Sequence, residues 1–242
     1  MNSESAKPTA ARRSVSCPPY NPGLQQLVEG KQAWANPLDA EVQPQGFLGW
    51  HQRGYLPHRD APGLTQFVTF RLHDSLPASR RGEWEALLRI EDARQRRIKL
   101  EGYLDRGHGA CWLWRPDLAD LTERIVRRSD GQHCDLLAWV VMPNHVHLLV
   151  RIQQSPLARL VQGWKGRIGR EANRLLHREG SFWERDYWDT YMRDSAHSAK
   201  ACRYIENNPV KAGLVRQAQD WPWTSARCRD RYGRLTLVRK GA

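Results

Sequence analysis

The chain has 242 residues, of which 40% are hydrophobic and 26% charged, enough for one sizeable domain with tails. It has no uninterrupted apolar run of the ~18 residues that a membrane-spanning helix needs, and its N-terminus lacks the apolar middle of a secretory signal, so the expected compartment is the cytoplasm. Lys and Arg outnumber Asp and Glu by 38 to 26, a net charge of +12 that favours a polyanion such as nucleic acid as partner.

Residues 1–50 carry Pro8, Pro18, Pro19, Pro22, Pro37 and Pro44 with little periodicity. They read as a partly disordered extension, with a short helix around Leu24–Trp34 and an Arg12-Arg13 pair suited to a weak nucleic-acid arm. One domain is expected over 51–230 and a tail over 231–242. Thr65–Leu72, rich in β-branched and aromatic residues, predicts a strand. Asp74-Ser75-Leu76-Pro77 closes it. A helix is expected from Ser79 to Tyr103, with Trp84, Leu87, Leu88, Ala93 and Ile98 on one stripe. Cys111–Trp114 reads as a short strand, and Pro116–Arg128 as a helix with proline in its first turn. Asp135–Met142 and His145–Ile152, joined at Pro143-Asn144, read as an antiparallel hairpin. An amphipathic helix follows over Leu157–His177. Phe182–Arg193 is read as partly strand. A last helix begins near Ser195 and is expected to stop by Asn208, because Pro209 restricts the residue before it. This order predicts an α+β sandwich with a central, mainly antiparallel sheet flanked by helices. Five cysteines without a CxxC pair read as free thiols.

Two local patterns carry chemistry. In MPNHVHLLV, His145 and His147 are two apart on a strand and so share a face, while Val146 points the other way. Two convergent imidazoles make a half-site for a divalent metal, although each can also be an ordinary satisfied polar residue. In RYIENNPVKAGLV, Tyr204 and Asn208 are four apart and share a helical face. A tyrosine hydroxyl, with a pKa of about 10, attacks only with help from a metal, a base or nearby cations. Lys200 is one turn away, and Asn208 offers a carbonyl oxygen to a hard cation. Read alone, Tyr204 is sooner a half-buried core aromatic, and Asn208 a turn starter before proline.

Together VVMPNHVHLLV and RYIENNPVKAGLV, with RGYLPHRDAPGLTQFVTFRL, GYLDRGHGACWL, FWERDYWDTYMRD and WPWTSA, resemble the REP-associated tyrosine transposases, a branch of the single-tyrosine HUH transposases. The resemblance covers about residues 50–227. It implies an HUH-endonuclease, ferredoxin-like sandwich that cuts single-stranded DNA beside hairpins of repetitive extragenic palindromes. Tyr204 matches the nucleophile that becomes joined to the 5′ phosphate. His145 and His147 match the metal pair, for Mg²⁺ or Mn²⁺. Asn208 matches the place of a polar third ligand that is often Gln, one methylene longer. No dedicated base is evident, since Glu206 should point elsewhere on the helix.

Single-stranded or hairpin DNA is the expected partner of a monomer or homodimer. Residues 151–203 hold 11 Lys or Arg against 6 Asp or Glu. Lys165, Arg167, Arg170 and Arg174, with Arg193 and Lys211 nearer the tyrosine helix, are the expected phosphate contacts, although for each helix residue a solvated polar face is the equal alternative. Trp164, Trp183 and Trp188 suit core packing more than base stacking. Two other functions fit the same residues: a hairpin-DNA-binding protein without catalysis, and a histidine–metal hydrolase in which Tyr204 is structural.

Overall fold

A computed structural model describes residues 46–52 and 57–236. The expected helix at Leu24–Trp34, the Arg12-Arg13 pair, nearly all of the N-terminal extension and the last six residues lie outside the described residues.

A two-stranded antiparallel hairpin, β1 (Gly49–Gln52) and β2 (Pro57–Asp60), precedes the main sheet. That sheet comprises β3 (Thr65–Arg71), β4 (Cys134–Val141), β5 (His145–Ile152) and β6 (Trp188–Tyr191), in the order β4-β5-β3-β6, with every pair antiparallel. The helices are α1 (Arg81–Leu88), α2 (Ala93–Asp105), α3 (Pro116–Arg127), α4 (Leu157–Leu175) and α5 (Ser195–Lys211). The α+β sandwich read from the sequence is the observed architecture.

Register sets what each face carries. Val146 lies opposite Phe70 and Val141, while His147 lies opposite Thr69 and Val140. The Val146 face packs against α3 and α4. Trp139, level with Leu148, donates its indole N–H to Glu123 of α3 at 2.7 Å. Gly169 of α4 leaves room for Phe182 and Trp183, and Trp183 meets Phe70 edge-on at 4.9 Å. Val146, Leu148, Val150 and Ile152 are fully buried here, each burial contributing about 1.5–3 kcal/mol. The opposite face packs against α5, where Phe67 meets Tyr204 at 5.9 Å.

Three expectations are corrected. The helix expected over 79–103 is two, because Asp92 caps α2 by accepting from the Gln95 amide at 2.6 Å, and Ile98 of the expected apolar stripe is exposed. Cys111–Trp114 is no strand: Cys111 has φ +48° and leads into a single 3-10 turn over Trp112–Trp114. The segment 182–193 is partly strand, as expected, over Trp188–Tyr191. Finally, α5 runs through Pro209 to Lys211. Proline removes one amide and strains the helix, but the amides of Ala212 and Leu214 still close on the carbonyls of Asn208 and Pro209 at 2.9 Å.

Residues 221–225 bind α5 to the sheet edge. The Val141 amide donates to the Trp223 carbonyl at 2.9 Å, and the Trp139 amide to Ser225 Oγ at 3.1 Å. Ser225 Oγ and Arg229 Nε both donate to the Glu206 carboxylate at 2.6 Å. Cys111, Cys134, Cys202 and Cys228 are free thiols, as expected. No described helix is long and apolar enough to cross a membrane.

Candidate active site

β5 begins at the tight Pro143-Asn144 turn, so its first inward residues, His145 and His147, meet α5 at the sheet end. Both are fully buried. Their Nε2 atoms face each other at 3.1 Å, and their rings are centred 4.5 Å apart.

Each outer nitrogen is tied down. Asn144 donates its amide to the Leu104 and His108 carbonyls at 3.2 and 3.1 Å, which turns its Oδ1 toward His145 Nδ1 at 2.7 Å. An amide oxygen only accepts, so His145 carries its proton on Nδ1 and presents a bare Nε2 lone pair. His147 Nδ1 lies 2.7 Å from Thr69 Oγ1, which can donate or accept. Without an ion, the Nε2–H of His147 donates to His145. With Thr69 reversed as acceptor, both Nε2 lone pairs become free to bind. Burial, with Lys211 adding to it, lowers the His145 pKa to about 3, so the ring stays neutral, the form a metal requires.

The tyrosine helix closes over the pair. The Tyr204 ring lies 5.9 Å from that of His147, and both pack on Phe67. Asn208 is fully buried and donates from Nδ2 to the Tyr204 hydroxyl at 3.3 Å, while its Oδ1 has no hydrogen-bond partner among the described residues. An orphaned buried carbonyl oxygen costs about 1–3 kcal/mol. It is the kind of donor a hard cation uses.

The cation beside Tyr204 is Lys211, whose Nζ sits 5.3 Å from the ring centre and 2.9 Å from Asp105 Oδ2. Lys200 is exposed one turn earlier. Burial raises the Asp105 pKa, and its contacts with Lys211 and Asn208 pull it back.

Among the described residues no three His, Cys, Asp or Glu side chains group into a metal cluster. His145 and His147 offer two nitrogen donors and Asn208 an amide oxygen, donor types that a divalent ion accepts. For M–N distances of about 2.1 Å, two nitrogens share one ion only when closer than about 4 Å, a condition the pair meets.

The remaining expected residues divide. Lys165 is turned inward, its Nζ donating to the carbonyls of Glu184, Arg185 and Asp186 at 2.6, 2.7 and 3.4 Å, and burial lowers its pKa to about 8. Arg167, Arg170, Arg174 and Arg193 are exposed. Glu206 points away, toward Ser225 and Arg229. Trp164 and Trp183 are core residues. Trp188 stacks on Trp84 at 5.6 Å in a cavity of about 560 Å³ that also reaches Thr69. Thr69, Asn144 and Asp105 were not expected at the site. Of these only Asn144, adjacent to His145, had a signal in the sequence.

Residues 113–208 match the sequence model of the family described as Transposase IS200 like. A REP-associated tyrosine transposase of Escherichia coli K12 is 25% identical over 107 residues, covering 43% of this chain and 62% of that one. A Haemophilus influenzae protein, provisionally given the same name, is 30% identical over 102 residues, covering 38% of this chain and 58% of that one. The chain thus spans about three-fifths of the length of these curated relatives. A solved structure of a REP-associated tyrosine transposase bound to a REP hairpin is 18% identical, covers 73% of this chain and 84% of that one, and superposes with a TM-score of 0.44. The segment matched by the family model holds the histidine pair, Tyr204 and Asn208, and the chain is similar over part of its length to the REP-associated tyrosine transposases.

Proposed function

We propose that this protein is a metal-dependent, single-tyrosine HUH endonuclease and strand transferase for single-stranded DNA, acting beside hairpins such as repetitive extragenic palindromes. One observation carries the reading: two buried imidazoles facing at 3.1 Å, both oriented from behind, with a tyrosine packed over one of them. Two neutral imidazoles converging at this distance are nitrogen donors that one divalent ion can share, and a tyrosine beside them is the nucleophile type that such a site activates.

A bound Mg²⁺ or Mn²⁺ would polarise the scissile phosphate and neutralise charge as it builds. His145 and His147 would hold the ion, with Asn208 Oδ1 as the third protein donor. Asn144 and Thr69 fix the two rings so that little reorganisation remains. Lys211, paired with Asp105, sets its ammonium 5.3 Å from the centre of the Tyr204 ring. In this reading no dedicated base is used, and the Tyr204 proton leaves to solvent or to the phosphate.

The phenolate oxygen attacks phosphorus, the P–O3′ bond breaks, and the 3′ oxygen takes up a proton. The downstream strand is left joined to Tyr204 through its 5′ phosphate. A 3′ hydroxyl from another strand reverses the step, expelling Tyr204 without any nucleotide cofactor.

The test is cleavage of a hairpin oligonucleotide with a single-stranded flank, in Mn²⁺ or in chelator. Cleavage that needs the ion and is lost in His147→Ala supports the reading. Tight binding that survives chelation without product, on the cognate repeat, would replace it with a non-catalytic hairpin-binding protein. Cleavage unchanged in Tyr204→Phe would leave a histidine–metal hydrolase.

A further inference from the structure

The C-terminal end of α2 backs onto both halves of the site. Leu104 supplies a carbonyl that holds the Asn144 amide at 3.2 Å, and through Asn144 it orients His145. The next residue, Asp105, is the last of the helix. Its side chain is 9% exposed and lies against α5. Its Oδ2 accepts from Lys211 Nζ at 2.9 Å, the pairing of an ionised carboxylate. Its other neighbour on α5 is the Asn208 side chain. Asp105 Oδ1 and Asn208 Oδ1 are both buried without a hydrogen bond among the described residues.

This neighbourhood decides which end of the Asn208 amide faces where. An amide oxygen and nitrogen are nearly the same size, so hydrogen bonds rather than shape distinguish them. Tyr204 cannot decide, because a phenol hydroxyl both donates and accepts. A carboxylate only accepts. Beside Asp105, the amide is favourable with its NH2 toward the carboxylate, since its oxygen there would set two acceptors against each other. The NH2 carries two hydrogens. One reaches the Tyr204 hydroxyl at 3.3 Å, and the other is available to Asp105 Oδ1. Asn208 Oδ1 is then the end left for an ion.

We propose that Asp105 is a positioning residue, which sets the Asn208 amide with its oxygen toward the ion held by the histidine pair. The proposal rests on the metal reading above. Asp105 is no ligand itself, because it does not group with the two histidines into a metal cluster. It acts through Asn208, as Asn144 acts through His145. One helix end thereby orients an oxygen donor and a nitrogen donor together.

The experiment measures Mn²⁺ binding to the full chain by titration calorimetry, without DNA or turnover. Asp105→Asn keeps the shape but offers either an oxygen or an NH2, so it no longer selects the Asn208 orientation. It should weaken Mn²⁺ binding about tenfold. In an Asn208→Ala background the same change should matter by less than about twofold, because the amide it sets is gone. Lys211→Met should not weaken Mn²⁺ binding, since the carboxylate remains. The exchange Asp105→Asn/Asn208→Asp keeps the charge and turns an oxygen to the ion in either orientation of the side chain at 208. It should bind Mn²⁺ within about twofold of the parent, or tighter. Thermal melts accompany each variant, and the exchange decides the matter if Asp105→Asn alone does not fold. An equal loss in both backgrounds would make Asp105 a distant charge and overturn the proposal. So would no loss at all, or an exchange that stays weak. If the parent binds no Mn²⁺, the functional reading fails and this inference with it.

Discussion

The two faces of β5 differ by one residue of register and by almost everything else. Val146, Leu148, Val150 and Ile152 point into a dry layer under α3 and α4, where they meet Phe70, Trp139 and other apolar groups. His145 and His147 point the other way, equally buried but into a polar network of Asn144, Thr69, Tyr204 and Asn208. One face supplies stability and the other bears its cost. Because side chains alternate along a strand, a single segment holds the reactive pair rigidly by anchoring its neighbours.

Substitutions should separate the faces. The largest effect is expected from Tyr204→Phe, which should lower strand cleavage by at least about 10⁴-fold in single-turnover assays. It gives up one 3.3 Å hydrogen bond from Asn208, so urea unfolding should shift by no more than about 1 kcal/mol. Leu148→Ala, on the other face, should do the reverse. It should cost about 2–5 kcal/mol in stability and leave cleavage by the folded fraction unchanged. A catalytic loss as large as that of Tyr204→Phe would show that the faces are not separable.

Asn144→Ala tests whether support from behind matters. Freeing His145 Nδ1 should weaken Mn²⁺ binding about 10–100-fold by calorimetry, with the histidines still present. Equal affinity would mean that Asn144 serves only the turn. Smallest is a pH effect at Lys165, whose folded pKa of about 8 lies below the ordinary lysine value. The unfolded chain binds the extra proton between pH 8 and about 10.4, so this group's contribution to stability rises across that window and falls away as pH drops back toward 8. Discounted for partial exposure, the change should be about 1 kcal/mol. Lys165→Met should flatten it in denaturant titrations at stepped pH.

What the sequence showed tracks how local the cause was. The β4–β5 hairpin, α3, α4 and the shared face of His145 and His147 follow from periodicity and a turn signal, so they were legible at once. The break between α1 and α2 hung on one capping residue, Asp92, inside a continuous helical pattern. The run of α5 through Pro209 was hidden because packing outweighs the local penalty of proline. Thr69 reaches His147 from 78 positions away, a pairing fixed only by strand order. Lys165 looked like a DNA contact because sequence reveals charge but not direction, and its amine is folded into the 184–186 loop. The Lys211 side chain, expected at DNA, also lies against Asp105 and the Tyr204 ring.

The central claim is that one tyrosine over the histidine pair becomes joined to DNA. Hairpin oligonucleotides labelled on either side of the cut, incubated with Mn²⁺ and denatured, test it most directly. The account predicts label on the protein only when it lies 3′ of the cut, carried on the peptide containing Tyr204 and abolished by chelation. An adduct on another residue, or cleavage with no adduct at all, would contradict it.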